Sequence, residues 1–263
     1  MPLLHLVLLA LIQGLTEFIP VSSSAHLILP AQLVAGFEDQ GTAIDVAAHV
    51  GSLGAVMIYF RREVAGLVRG ALDLARGRVG PDRTLFIVLS AATVPFLVVA
   101  PALALSGAAD ALRSVVVIAW ASIVFGVVLW LADRAPTRLH RLPEHLSPAL
   151  AIGAAQCLAL IPGTSRSGIT ITAARALGFD RTEAARFSML MSIPAIGASG
   201  AYLALEASRE AVAWGPVLLV AGLSLVSAYA AIGLFLRLTR TASFTPFVVY
   251  RVALGVVLLA FFA

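Results

Sequence analysis

The chain has 263 residues, 60% of them apolar and 12% charged, with a formal net charge of +4 and a mean hydropathy of +0.98. Soluble domains carry about 25% charge, so this is an integral membrane protein, and apolar runs of about 20 residues make it helical and polytopic rather than a barrel. All 18 basic residues are arginine and there is one cysteine, which excludes lysine Schiff-base chemistry, a P-loop lysine, an internal disulfide and a cysteine metal cage.

The first apolar block, residues 3–34, is broken at Pro20. Neither half supplies the roughly 20 residues that a span needs, so a helix that dips in and returns is expected. No basic leader or small-residue cleavage site precedes it, so no cleaved signal peptide is expected. An acidic stretch follows with Glu38, Asp39 and Asp45. Residues 46–60 read as a span and end in a basic loop, 61–83, that holds six arginines. Spans are expected over 85–105, kinked at Pro95 and Pro101, and over 114–132, with a turn carrying Asp110 and Arg113 between them. A second basic loop holds Arg134, Arg138 and Arg141. Residues 146–177 are again apolar and broken midway, at Pro162-Gly163, and Arg175, Arg181 and Arg186 follow. Spans over 187–205, 216–236 and 247–262 complete the chain, separated by Glu206, Arg209 and Glu210 and then by Arg237 and Arg240.

The pI near 10.0 comes from arginines grouped between apolar blocks, which reads as membrane orientation and not as nucleic-acid binding. With loop 61–83 inside, every basic loop falls inside and every acidic one outside, provided both broken blocks are re-entrant. Both termini are then periplasmic.

Pro20 set over Pro162 aligns IPVSSSAH with IPGTSRSG. Ser22 then faces Thr164, Ser23 faces Ser165 and Ser24 faces Arg166. A second short match, Val46–His49 against Glu183–Arg186, follows each block. The expected fold is an all-α polytopic membrane protein forming one domain over residues 1–263. It is built of two inverted-topology repeats, about 1–133 and about 146–263. Each repeat is a re-entrant helix hairpin plus three transmembrane helices, with the hairpin tips converging near the midplane.

The second tip, residues 162–168, combines a helix break, a Thr164 or Ser165 cap, free backbone N–H groups, Ser167 and the fork of Arg166. These are the parts of a phosphate or other anion site. In the first tip Gln13 and Glu17 share a helix face, and Ser22, Ser23 and His26 lie within one turn after Pro20. Serine, imidazole and carboxylate together serve as an activated nucleophile, a water-activating set or a metal-holding set. His49 reads as interhelical glue, with a place in the site as the lesser alternative. Arg251, inside the last span, reads as a neutraliser of a buried carboxylate, as a group reaching the interface or as a direct contact to substrate.

The segments QGLTEFIPVSSSAH, DVAAHVGSLGAVMIYFR, QCLALIPGTSRSGITI and FSMLMSIP, with the terminal Tyr250-Arg251, resemble signatures of the undecaprenyl-diphosphate phosphatase family of the bacitracin-resistance type. The resemblance implies an inner-membrane enzyme that removes the terminal phosphate of a C55 isoprenyl diphosphate and regenerates the lipid carrier of peptidoglycan synthesis. It implies catalytic positions at Glu17, Ser23, His26 and Arg166, with Gln13, Ser22, Thr164, Ser165 and Ser167 around the phosphates. It also implies a divalent cation, Mg²⁺ or Ca²⁺, at Glu17. Where the family often has a second glutamate this chain has Gln13, which reduces a carboxylate pair to one carboxylate and an amide. The expected partners are the polyprenyl diphosphate lipid and the membrane, no nucleic acid, and at most a second copy of the chain as a homodimer. The other reading of the same architecture is a lipid-phosphate flippase or small-anion transporter.

Overall fold

A computed structural model of the protein describes residues 3–33, 41–107, 112–207 and 213–262. Glu38, Asp39, Asp110, Arg209 and Glu210 lie outside them. The described residues form α1 (Leu3–Thr16), α2 (Ser23–Leu33), α3 (Thr42–Tyr59), α4 (Arg61–Ala75), α5 (Pro81–Leu105) and α6 (Val115–Ala132). They continue as α7 (Leu146–Gln156), a 3-10 turn (Cys157–Leu160), α8 (Arg166–Ala176), α9 (Arg181–Ala207), α10 (Trp214–Leu238) and α11 (Thr245–Phe262). Helices α3, α5, α6, α10 and α11 are long and apolar enough to cross a membrane, so the chain is a multi-pass helical membrane protein. The span expected over 187–205 lies within α9.

Both broken blocks break where expected. Helix α1 is leucine-rich, a strong helix former, and closes when the Thr16 hydroxyl bonds the Ile12 carbonyl at 2.7 Å. Pro20 cannot continue a helix, and Ser22 takes a left-handed backbone, φ 75°, before α2 begins. In the second block α7 tightens into the 3-10 turn. Gly163 (φ 93°) and Ser165 (φ 69°) turn the chain, and the Ser165 hydroxyl accepts from the Gly168 N–H at 3.1 Å to cap α8. Helix α1 is only about 21 Å long and the 11-residue α7 is shorter still, against a hydrocarbon core of about 30 Å.

Counted from the helix starts, the two breaks line up one residue away from the match of the prolines. The left-handed serine before the helix start is Ser22 in one block and Ser165 in the other, so by helix position Ser23 lines up with Arg166 and not with Ser165. In this register the two prolines stand one residue out of step, with Pro20 opposite Gly163. In this register Gln13 and Gln156, both fully buried, also correspond.

The basic loop 61–83 is not all loop, because residues 61–75 form α4. Its arginines occupy one face, while the buried Gly66 and Gly70 let it lie close against Asp82 and Phe86 at the start of α5. Charge density hid an amphipathic period of 3.6.

Helix pairs α3–α10, α1–α10, α6–α11, α5–α7 and α3–α9 form the main contacts. Gly14 brings α1 onto Ser224, Ser227 and Ala228 of α10, and Gly153 brings α7 onto Ala92 of α5; small residues permit such close approach where lipid offers no hydrophobic drive. A central cluster buries Phe18 of the first tip with Ile152, Ile171, Met189 and Met191. The foot of α8 is fastened by Asp133, which pairs with Arg181 at 2.7 Å and Arg175 at 3.3 Å and accepts from the Phe244 N–H at 3.1 Å. Arg175 also donates to the carbonyls of Asp133, Ala135 and Phe179. Arg175 and Arg181, expected only as orientation signals, are thus part of a buried brace.

Candidate active site

The two tips touch. Ser167 of α8 donates to the Ile19 carbonyl at 2.8 Å, and Arg166 Nη2 reaches Glu17 Oε1 at 3.2 Å. Glu17 follows α1 by one residue, and its N–H still bonds the Gln13 carbonyl, 3.0 Å, so it keeps the helical direction and points toward the break. Its other oxygen, Oε2, accepts from Ser23 Oγ at 2.7 Å and from Gln13 Nε2 at 2.9 Å. Arg166 Nη1 adds the Ser188 carbonyl at 3.3 Å. The side chains of Glu17 and Arg166 are 6% and 13% exposed. A charge so far from water is costly unless paired, and here each neutralises the other.

A cavity of about 180 Å³ opens against this pair. Glu17, Ser22, Ser23, Ser24, Ser165 and Arg166 make its polar side, and Phe96, Leu160, Ala195 and Ile196 its apolar side. His49 of α3 also lines it. The His49 Nδ1 meets the Asp45 carbonyl at 2.8 Å, and the ring lies close enough to Glu17 for a direct electrostatic interaction.

Of the residues expected here, the structure brings Glu17, Ser22, Ser23, Ser165 and Arg166 to one cavity. Gln13 lies fully buried behind Glu17. Thr164 is buried with its hydroxyl unpartnered among the described residues, and Ser167 is spent on the Ile19 carbonyl. His26 does not line the cavity. Its Nδ1 meets the Ser22 carbonyl at 2.7 Å, not a serine hydroxyl, and its Nε2 meets the Tyr250 hydroxyl. The left-handed Ser22 turns its carbonyl along the start of α2, and one helical turn brings His26 onto that carbonyl. Sequence reasoning gave little weight to His49 and placed no role on Phe96. The His49 signal was the match of Val46–His49 to Glu183–Arg186, which put it at a fixed place in each half.

The donor set does not fit a resident divalent cation. Glu17 is the one carboxylate on the cavity; Arg166 occupies one of its oxygens and Ser23 and Gln13 the other. No cluster of three or more His, Cys, Asp or Glu forms among the described residues. An amide donating toward Glu17 supplies no charge to hold a hard cation.

Fold and cavity together define a polytopic helical membrane protein with a serine–carboxylate–arginine site set between two broken helices. Comparison with known proteins narrows the class. The chain belongs to the bacitracin resistance protein BacA family, whose model matches residues 6–257. It is 50% identical over 263 residues to an undecaprenyl-diphosphatase of Ruegeria pomeroyi, covering 98% of each chain. It is 50% identical over 268 residues to one of Maricaulis maris, covering all of both chains, and 52% identical over 265 residues to one of Dinoroseobacter shibae, covering 98% of each.

Proposed function

We propose that this chain is an undecaprenyl-diphosphatase that acts by way of Ser23, Glu17 and Arg166. The phosphatase activity and its lipid substrate follow from family membership and from relatives at about half identity over the whole chain. The observation that carries the site is Ser23 Oγ donating to Glu17 Oε2 at 2.7 Å while Arg166 holds the other carboxylate oxygen. A hydroxyl on a carboxylate acceptor, beside a guanidinium, is an activated nucleophile next to an anion anchor.

In this reading the terminal phosphate enters the polar side of the cavity and the isoprenyl chain leaves along the apolar side. Arg166 swings from Glu17 toward the phosphate oxygens, and the start of α8 adds its N–H groups. Ser23 Oγ then bonds to the terminal phosphorus as the bridging P–O bond breaks, and its proton passes to Glu17. The leaving group is the polyprenyl monophosphate. Water then opens the phosphoserine and Ser23 takes the proton back. No step needs a protein-held cation. Ser22 and Ser165 position the two tips, and Gln13 keeps Glu17 aimed at Ser23.

The two hairpins are read as re-entrant and the halves as inverted repeats. The equivalent strained serines support this, and so does the packing, since α1–α10 is the counterpart of α7–α5 while α6–α11 and α3–α9 map onto themselves. The arginine-rich loops favour an orientation in a bacterial inner membrane with termini and cavity facing the periplasm. The same architecture serves transporters of lipid phosphates or small anions. Phosphate release from a polyprenyl diphosphate by the purified chain in detergent separates the two, since transport breaks no bond. Rapid quench should trap phosphate on Ser23; unchanged turnover by Ser23→Ala would remove the covalent route.

A further inference from the structure

Arg251 is fully buried in α11, and no carboxylate pairs with it among the described residues. The expectation that it neutralises a buried acid or reaches the interface does not hold. Its Nη2 donates to three backbone carbonyls, Thr164 at 2.8 Å, Gly163 at 3.0 Å and Ala121 at 3.4 Å. Two of these belong to the turn that delivers Arg166. Gly168 has no side chain, and a Cβ there would stand 2.9 Å from Arg251 Nη1, so the guanidinium lies flat against the first turn of α8. A buried guanidinium without a counter-charge is costly in a membrane protein, so what it holds is the clue to its use.

The preceding residue holds the other tip. The Tyr250 hydroxyl meets His26 Nε2, and the two rings stack with centroids 5.7 Å apart at 14°. His26 Nδ1 in turn meets the carbonyl of Ser22, the strained residue that delivers Ser23. Neighbouring residues on a helix point about 100° apart, which lets one residue address each tip. In both tips the gripped carbonyl sits at or just before the left-handed serine, where backbone strain must be held by the surroundings.

We infer that Tyr250 and Arg251 form one clamp, with His26 as its link to the first tip, that holds the turns before Ser23 and Arg166 so that both helix starts face Glu17 and the phosphate cavity. They are positioning residues of the reaction proposed above and rest on that reading. His26 acts through Ser22 and Ser23, not on the reacting atoms.

Phosphate release from a polyprenyl diphosphate by the purified full chain in detergent tests the clamp. Tyr250→Phe keeps the ring and its stacking and loses one hydroxyl. Its kcat should fall about tenfold with KM held within about twofold and the thermal midpoint unmoved, because the acting groups are displaced and not removed. His26→Ala cuts the same link and should lose a similar factor, and the double variant no more. Arg251→Lys keeps the charge and loses the fork on the two carbonyls, for a fall of about a hundredfold in kcat. Turnover by Tyr250→Phe equal to that of the unsubstituted chain overturns the inference. So does a loss that appears in KM, or a Tyr250→Phe, His26→Ala pair whose losses multiply. Tyr250 is 44% exposed, so its variant decides the matter even if Arg251→Lys does not fold. Full activity in both Ser23→Ala and Arg166→Ala would instead remove the underlying site, whatever Tyr250→Phe does. Inactive Ser23→Ala and Arg166→Ala beside undisturbed Tyr250→Phe and Arg251→Lys would remove the clamp alone.

Discussion

At the break before α2 a serine with φ 75° hands over to Ser23, and at the break before α8 a serine with φ 69° hands over to Arg166. The backbone solution is the same, yet one helix opens on a hydroxyl and the other on a guanidinium. The residue between them, Glu17, has no acidic counterpart in the second tip. Leu160 stands at the corresponding place and forms part of the apolar wall of the cavity. The two tips are therefore alike in how they stop a helix and unlike in what they present at the stop. Two similar breaks thus carry an unlike pair, a hydroxyl on one side and a guanidinium on the other, with one carboxylate bonded to both.

The asymmetry can be broken from either side. Arg166→Ala strikes hardest, since it removes the proposed phosphate anchor and leaves Glu17 buried without its counter-charge. Phosphate release should drop by at least about a thousandfold while the detergent-purified protein still elutes as a single species. Turnover within tenfold of the unsubstituted chain would sink the anchor. Ser23→Ala should cost roughly a hundredfold to a thousandfold in kcat, the remainder coming from the anion grip alone, and no phosphoserine should be trapped. Gln13→Glu sharpens the comparison instead. It replaces the amide that donates to Glu17 at 2.9 Å by a second acid and makes the first tip markedly more anionic. Activity without added cation should fall about tenfold and be recovered in part by Mg²⁺, because two adjacent carboxylates in low dielectric need a counter-charge. A Mg²⁺ response identical to that of the Gln13 chain would count against the amide's role. Ser167→Ala removes the 2.8 Å bond that ties the second tip to Ile19, along with a 3.2 Å contact to the Ser165 hydroxyl within that tip. A loss of no more than about fivefold is expected, the worth of one hydrogen bond. A far larger loss would mean that Ser167 meets the phosphate directly.

Much of this frame was legible in the chain itself. Apolar runs of membrane length, and two runs interrupted by proline, dictate helices and helix breaks by local rules. The observed breaks fall at the expected prolines because a proline lacks the N–H that a continuing helix needs. Glu17, Ser23 and Arg166 were visible because polar and charged groups inside apolar blocks are expensive and are kept for use. The order of residues could not show how the tips align, since the prolines that mark the breaks are one residue out of step with the left-handed serines that precede the helix starts. It equally hid α4, whose arginines made a helix look like a loop.

What the sequence determined by itself was therefore local: the membrane class, the positions of the helices and breaks, and the chemical character of each tip. These follow from hydrophobicity, from proline and from charge, which act within a few residues. Only the tertiary structure decided which groups meet. It turned His26 away from the cavity to Tyr250, brought His49 to the cavity wall, set Arg251 on the carbonyls of the second tip, and closed Asp133 on Arg175 and Arg181. Each of these is a contact between residues far apart in the chain. Its partner is chosen by how the helices pack, not by any spacing that a single segment can display.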